Sequence, residues 1–147
     1  MDRGIVRPRY GPPNSNAPVT HTSRLTIRWS DLDAYGHLNN AVYLTLCEQA
    51  RIDALERLDA VDWSEGGPVV VAAALQYKRP VTEVVPLRVE VTLGTPGRSS
   101  FPTTYRVTSD DGATLHAEAE ITMVWIDAAS GRPTPIPETL RAQLDAT

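Results

Sequence analysis

Two aspartates, a glycine, a histidine and two asparagines crowd into the ten residues Asp31-Leu32-Asp33-Ala34-Tyr35-Gly36-His37-Leu38-Asn39-Asn40. A carboxylate in such a cluster can deliver or activate water. A histidine can change charge near neutral pH. An apolar stretch with helical periodicity follows at once. A helix start presents unpaired N–H groups at the positive end of its dipole, and such groups can hold a developing oxyanion. A carboxylate on the adjoining loop could then deliver or activate water at the same carbonyl.

Each residue also has a plainer use. Loop aspartates commonly cap turns, and Asp31 is read that way, whereas Asp33 is the candidate for chemistry. His37 either moves a proton or orders its loop. Glu48 falls four residues after Leu44 and four before Ile52, so burial is expected, and a buried carboxylate needs a partner or a task. Arg51, three residues on, offers an ion pair. The alternative is a second active-site carboxylate that orients water, its pKa raised by burial. Ser99 and Ser100 lack a glycine-flanked nucleophile elbow, which argues against a serine hydrolase. His21 and His116 have no companion ligands at metal spacing, so no metal is expected. Cys47 is the single cysteine, which excludes a disulfide within the chain. Its place in an apolar helical row predicts a buried packing residue.

The elements that must position these groups are legible as patterns. Residues 1–22 carry four prolines and two asparagines with little periodicity and read as a mobile arm. Residues 23–147 read as one domain. Leu25, Ile27 and Trp29 alternate with polar neighbours as in a half-buried strand over 24–30. Residues 39–59 read as one long helix capped by Asn39, with Tyr43, Cys47, Ala50, Ala54 and Leu58 in one apolar row and Ala41, Leu44, Ile52 and Leu55 in a second. Gly66-Gly67-Pro68 breaks the chain, and the apolar run Val69–Leu75 reads as a central strand. Leu87–Leu93, residues 98–109 and Ala113–Trp125 complete the strands, with an Asp-Gly hairpin signal at Asp111-Gly112. A short helix begins near Glu138. Short later connections predict antiparallel strands, and the long first connection allows a crossover. One helix cannot cover both faces of five strands, so a partner subunit or polar residues must cover the rest.

The chain has 147 residues, 41% apolar and 22% charged, with a formal net charge of −4. That suits one domain with a real core. The charge argues against a general nucleic-acid binder. No stretch is apolar enough to span a membrane and no signal-peptide core follows the N-terminus, so a cytoplasmic protein is expected.

The stretch from Asp31 to Tyr43 resembles the D-x-D-x-x-G-H-x-N-N-x-x-Y signature of hotdog-fold acyl-CoA thioesterases of the 4-hydroxybenzoyl-CoA thioesterase type. Similarity continues through Glu48-Gln49-Ala50-Arg51, Tyr77-Lys78-Arg79-Pro80-Val81, Gly97-Arg98-Ser99-Ser100 and Gly131–Pro137, covering roughly residues 24–145. The resemblance implies an α+β hotdog fold, a long central helix wrapped by a five-stranded, mainly antiparallel sheet. It implies hydrolysis of an acyl-CoA or acyl-ACP, with Asp33 as nucleophile or as general base for water. Backbone N–H groups near Asn39 to Ala41 would polarise the carbonyl, and Asn39 or Asn40 would position substrate or water. With His37 and Glu48 these form the expected catalytic set, while Gly36, Ala41, Tyr43, Arg79 and Arg98 are the expected substrate contacts. The two arginines would meet phosphates of CoA or phosphopantetheine in a groove between subunits. No cofactor beyond the substrate's own carrier is implied. A homodimer, or a tetramer built of dimers, is expected. Two other functions suit the fold: an acyl-CoA-binding module without turnover, and a hydroxyacyl dehydratase using His37 and Glu48.

Overall fold

The computed structural model describes residues 19–145. The expected arm over 1–22 therefore falls outside the described residues as far as residue 18. Its last four positions instead belong to the first strand.

Five strands form one sheet in the order β1-β3-β4-β5-β2, with every neighbouring pair antiparallel. They are β1 (Val19–Thr26), β2 (Gly66–Tyr77), β3 (Pro86–Leu93), β4 (Ser100–Ser109) and β5 (Leu115–Asp127). The chain leaves β1 through a 3-10 turn at Trp29–Asp31 and a loop. It then runs through helix α1 (Val42–Leu58) before entering β2 at the far edge of the sheet. A second helix, α2 (Glu138–Asp145), follows the sheet and buries Leu140 and Leu144. This is the hotdog arrangement, a long helix wrapped by an antiparallel sheet.

Alternation decides which way β3, β4 and β5 face. Leu87, Val89, Val91, Leu93, Phe101, Tyr105, Val107, Ala117, Ala119, Ile121, Met123 and Trp125 are all buried, while intervening residues such as Arg88, Pro102, Thr104, Arg106 and Glu120 face outward. Apolar side chains every second residue on one face are what a half-covered sheet requires. α1 lies across β1 and β3. Its buried face is Tyr43, Leu46, Cys47, Ala50, Arg51, Ala54 and Leu55. That face is rotated from the expected one, for Leu44 is exposed and Arg51 is buried. With no proline or glycine inside, the helix runs unbroken until Asp59 adopts φ 49°.

Two strand expectations need correction. The strand expected over 24–30 ends at Thr26, and Trp29 turns out to 80% exposure, because the backbone tightens into a 3-10 turn. β2 is an edge strand rather than a central one, pairing only with β5 among the described residues. Its continuous apolar run cannot be explained by burial within this chain. The later strands are antiparallel as expected, although β2 does not pair with its successor: residues 78–85 carry the chain across the sheet end to the far side of β4 and β5.

Acid should loosen this fold. Asp31, Asp62, Asp110, Asp111 and Asp127 are held below the usual carboxyl range, chiefly by side-chain hydrogen bonds from Arg28, Ser64, Arg24, Ser109 and Ser130. Burial pushes His21 down, with the nearby Arg57 charge adding to the effect. A lowered folded pKa means that the native state binds fewer protons than the unfolded chain, so stability is lost as pH falls. The His21 contribution fades below about pH 6.5 and the aspartate contributions below about pH 4. Thermal melts should be flat from pH 8 to 7, decline slightly near pH 6 and fall steeply below 4.

Candidate active site

The loop between β1 and α1 is tied at several points. Asp31 accepts hydrogen bonds from the Arg28 backbone N–H at 2.7 Å and from its guanidinium at 2.8 Å. That bidentate grip, with Asp31 itself buried, makes it the structural residue expected. Asp33 closes the next turn. Its N–H donates to the His37 carbonyl at 2.7 Å, and its own carbonyl accepts from Gly36 at 3.0 Å. Its Oδ1 accepts the N–H groups of Tyr35 at 2.8 Å and His37 at 3.1 Å. Oδ2 takes part in no hydrogen bond among the described residues. One oxygen anchors the carboxylate and the other is available to a reactant.

Gly36 has φ +71° with open space where a Cβ would stand. Its requirement is therefore conformational, a left-handed turn residue that lets the loop close. Leu38 then buries itself and donates to the Val81 carbonyl at 2.8 Å, docking the loop on the segment after β2.

α1 begins three residues later than the periodicity suggested. Asn39 does not cap it: Ala41 holds the N-cap position without a side-chain bond, and the Asn39 Oδ1 instead accepts the Ala41 N–H at 2.9 Å in the turn ahead of the helix. Its carbonyl accepts the Val42 N–H at 2.9 Å, and its own N–H donates to Asp31 at 2.9 Å. The oxyanion donor expected somewhere within Asn39–Ala41 can thus be narrowed. The Asn39 and Ala41 N–H groups are already used, and no hydrogen bond engages the Asn40 N–H among the described residues. The peptide joining Asn39 to Asn40 points its carbonyl into the helix, toward Val42. A trans peptide directs its N–H the opposite way, so the Asn40 N–H points out past the helix start.

These groups border an open hollow of about 260 Å³ lined by Asp33, His37, Leu38, Asn40, Tyr43, Tyr77, Lys78, Arg79 and Pro80. Of the expected residues, Asp33, His37, Asn40, Tyr43 and Arg79 meet here, with Gly36, Asn39 and Ala41 shaping the loop behind them. His37 is exposed and its backbone orders the turn. Tyr43 is buried at the floor, with its hydroxyl pKa pushed up by that burial. Arg79 is exposed at the rim beside Lys78. A second hollow of about 500 Å³ adjoins and shares Lys78 and Arg79 with the first. His116 Nδ1 lies 3.0 Å from the Arg79 carbonyl and helps fix that rim.

Two expected residues stand elsewhere. Glu48 is not buried: its side chain is 67% exposed, and it sits 3.8 Å from the Arg51 guanidinium. The register of α1 turns Arg51 inward and Glu48 outward, reversing the expected burial. Arg98 lies at the β3–β4 turn, where its carbonyl accepts hydrogen bonds from Ile136 and Arg141. It does not line the hollow within this chain. Tyr77 and Lys78, which do, were not among the expected site residues. The signal was present, since both directly precede Arg79 at the end of an apolar strand run.

Two other groups could be mistaken for chemistry. Ser23 Oγ lies 2.6 Å from Asp53 Oδ2 and 3.2 Å from His21 Nε2. An ionised carboxylate only accepts, so the serine proton goes to Asp53 and the histidine must donate to the serine. A nucleophilic serine needs the reverse, its proton given to the histidine. The trio instead latches α1 to β1. Cys47 is fully buried, and burial pushes its thiol up to about 12. Only the thiolate reacts readily, so native protein should consume no Ellman reagent over an hour while denatured protein consumes one equivalent.

A five-stranded antiparallel sheet wrapped on a long helix defines a hotdog protein, and the loop at the helix start carries the groups expected of one that acts on acyl thioesters. Comparison with known proteins agrees. The thioesterase-like superfamily matches residues 27–144, and the chain belongs to that family of thioester hydrolases. It is 30% identical over 126 residues to the long-chain acyl-CoA thioesterase FadM of Escherichia coli, covering 84% of this chain and 96% of that one. A Thermus thermophilus thioesterase solved with coenzyme A and Zn is 36% identical, with TM-score 0.74 over 84% of this chain and 95% of that one. The PA2801 protein of Pseudomonas aeruginosa is 33% identical, with TM-score 0.75 over 83% and 95%.

Proposed function

We propose that the enzyme hydrolyses acyl-CoA thioesters in the hollow at the start of α1, with Asp33 as the reacting carboxylate. The observation that supports this is that Asp33 and Asn40 border one hollow, with Asp33 Oδ2 and the Asn40 N–H engaged in no hydrogen bond among the described residues. The thioester carbonyl oxygen takes a hydrogen bond from Asn40, which polarises it and stabilises the tetrahedral oxyanion. Asp33 Oδ2 either removes a proton from water as the water attacks, or attacks the carbon itself and forms an anhydride that water then opens. In both routes the C–S bond breaks and the thiolate of the carrier leaves. Lys78 and Arg79, between the two hollows, are placed to meet carrier phosphates. No cofactor is required beyond the carrier. A reducing cytoplasm suits the single unpaired cysteine.

The substrate class rests on FadM and on the coenzyme A complex named above. A dehydratase would need His37 and Glu48 together, and Glu48 does not line the hollow, which favours hydrolysis. Incubation with a panel of acyl-CoAs tests the proposal. Thiol release with free acid as the second product is expected. Water loss from a 3-hydroxyacyl-CoA, or tight binding without turnover, would replace it with one of the two other functions.

We also propose a homodimer joined along β2. Among the described residues no strand pairs with the outer edge of β2, and Val69, Val70, Val71, Ala72, Ala73 and Ala74 are all exposed. A long apolar edge demands a cover. A second β2 offers one, with the same pattern and its own unpaired edge. Light scattering should give twice the chain mass, and Val70→Lys with Ala73→Lys should yield monomers.

A further inference from the structure

Tyr77 is the last residue of β2, and its hydroxyl donates to the Asn40 carbonyl at 3.0 Å. Its ring meets Tyr43 edge-on, with centroids 5.2 Å apart and planes at 72°. The peptide that joins Asn40 to Ala41 is thereby held at both ends. Asn39 Oδ1 takes its N–H at 2.9 Å, and Tyr77 takes its carbonyl. That peptide shares the Asn40 Cα with the peptide whose N–H points out past the helix start, and Asn40 borders the hollow. Fixing one plane restricts the dihedrals that aim the other. The Asn39 bond is local to the turn, whereas the Tyr77 bond reaches it from a strand 37 residues away.

We infer that Tyr77 is a positioning residue for the oxyanion donor: its hydroxyl, acting on the Asn40 carbonyl, aims the Asn40 N–H at the substrate. This rests on the proposed hydrolysis in the same hollow. The hydroxyl sits on a side chain that also lines the hollow, but its bond is to the backbone and not to the reactant. Donors that stabilise a transition state act through preorganisation, so loosening the donor raises the barrier without weakening ground-state binding.

Tyr77→Phe isolates the effect, because the ring and its contact with Tyr43 remain. Expected are a fall in kcat of about tenfold, a KM within about twofold of wild type, and faster amide exchange at Ala41. The melting temperature should stay within about 2 °C, since only one exposed hydrogen bond is lost. A residue that served stability alone would shift the melting temperature and leave kcat per folded molecule unchanged. Asp33→Asn and Ser23→Ala are measured beside it as a lost-chemistry control and a remote control. If Asp33→Asn loses turnover while Tyr77→Phe keeps kcat within twofold, or if Ala41 exchange does not change, the inference is overturned. If the wild type releases no thiol from any acyl-CoA, the functional proposal fails, and the assignment of Tyr77 to that reaction falls with it.

Discussion

Asp33→Asn should lower kcat by about 10²- to 10⁴-fold, the usual worth of a general base, with little change in fold. The substitution is informative because of how the carboxylate is held. Oδ1 accepts the Tyr35 and His37 N–H groups, and an asparagine carbonyl can accept both. The turn should therefore stay closed while the second oxygen becomes an amide that neither attacks nor takes a proton. Asp33→Ala would mix two effects, removing the chemistry and also leaving the two N–H groups without their acceptor. Its melting temperature should drop below that of Asp33→Asn. Asp33→Glu keeps the charge but moves it by about one bond length, and a displacement of about 1 Å can itself cost 10²-fold. Steady-state kinetics with circular dichroism on all three variants checks the series. Full activity in Asp33→Asn would remove this carboxylate from the mechanism.

Tyr105→Phe should destabilise the protein by about 2–3 kcal/mol, a drop in melting temperature of roughly 10 °C. The reason is a buried chain of hydrogen bonds between α1 and the sheet. Arg51 is only 5% exposed, and its Nη1 donates to the Tyr105 hydroxyl at 3.2 Å. That hydroxyl lies 2.9 Å from Thr103 Oγ1, which lies 3.0 Å from the Ile121 carbonyl. A carbonyl only accepts, so the protons must run one way: Arg51 to Tyr105, Tyr105 to Thr103, Thr103 to Ile121. Burial pushes the Tyr105 hydroxyl pKa up and keeps its proton in place. Loss of the hydroxyl leaves a buried cation short of its acceptor, and the exposed Glu48 at 3.8 Å is a weak substitute. Arg51→Met alone should cost less, because Tyr105 can still donate to Thr103. The double variant Tyr105→Phe/Arg51→Met should be more stable than Tyr105→Phe, since it removes the stranded cation. Urea or thermal unfolding of the four proteins measures the coupling, and additivity within 0.5 kcal/mol would refute it.

Patterns with a strict period were legible in the sequence. The alternation of Ala117, Ala119, Ile121, Met123 and Trp125 gave β5 its buried face, and the unbroken run after Asn40 gave α1. The chemistry-bearing loop was legible too, because aspartate, glycine, histidine and asparagine in that order have few other uses together. What failed turned on rotation and on neighbours. Glu48 and Arg51 differ by less than one helical turn, so a small error in helix phase exchanges the buried and exposed charge. β2 read as central because its residues are apolar on both sides, yet it stands at the sheet edge with those residues exposed. Trp29 continued the alternation of Leu25 and Ile27, but the 3-10 turn broke the period and left it exposed. Tyr77 stands in the legible motif before Arg79, but its contact with Asn40 joins residues 37 apart in sequence, which no local pattern records.

The most direct test of the central claim is where a substrate analogue binds. A non-hydrolysable thioether analogue of an acyl-CoA is titrated into isotope-labelled protein and followed by backbone NMR. Resonances of Asp33 to Ala41 and of Tyr77 to Arg79 should shift together, with Asn40 moving most and Ser23 and Asp53 unmoved. Saturable shifts confined to the region of Arg98, with the Asp33 loop unchanged, would place the site elsewhere and contradict the proposal.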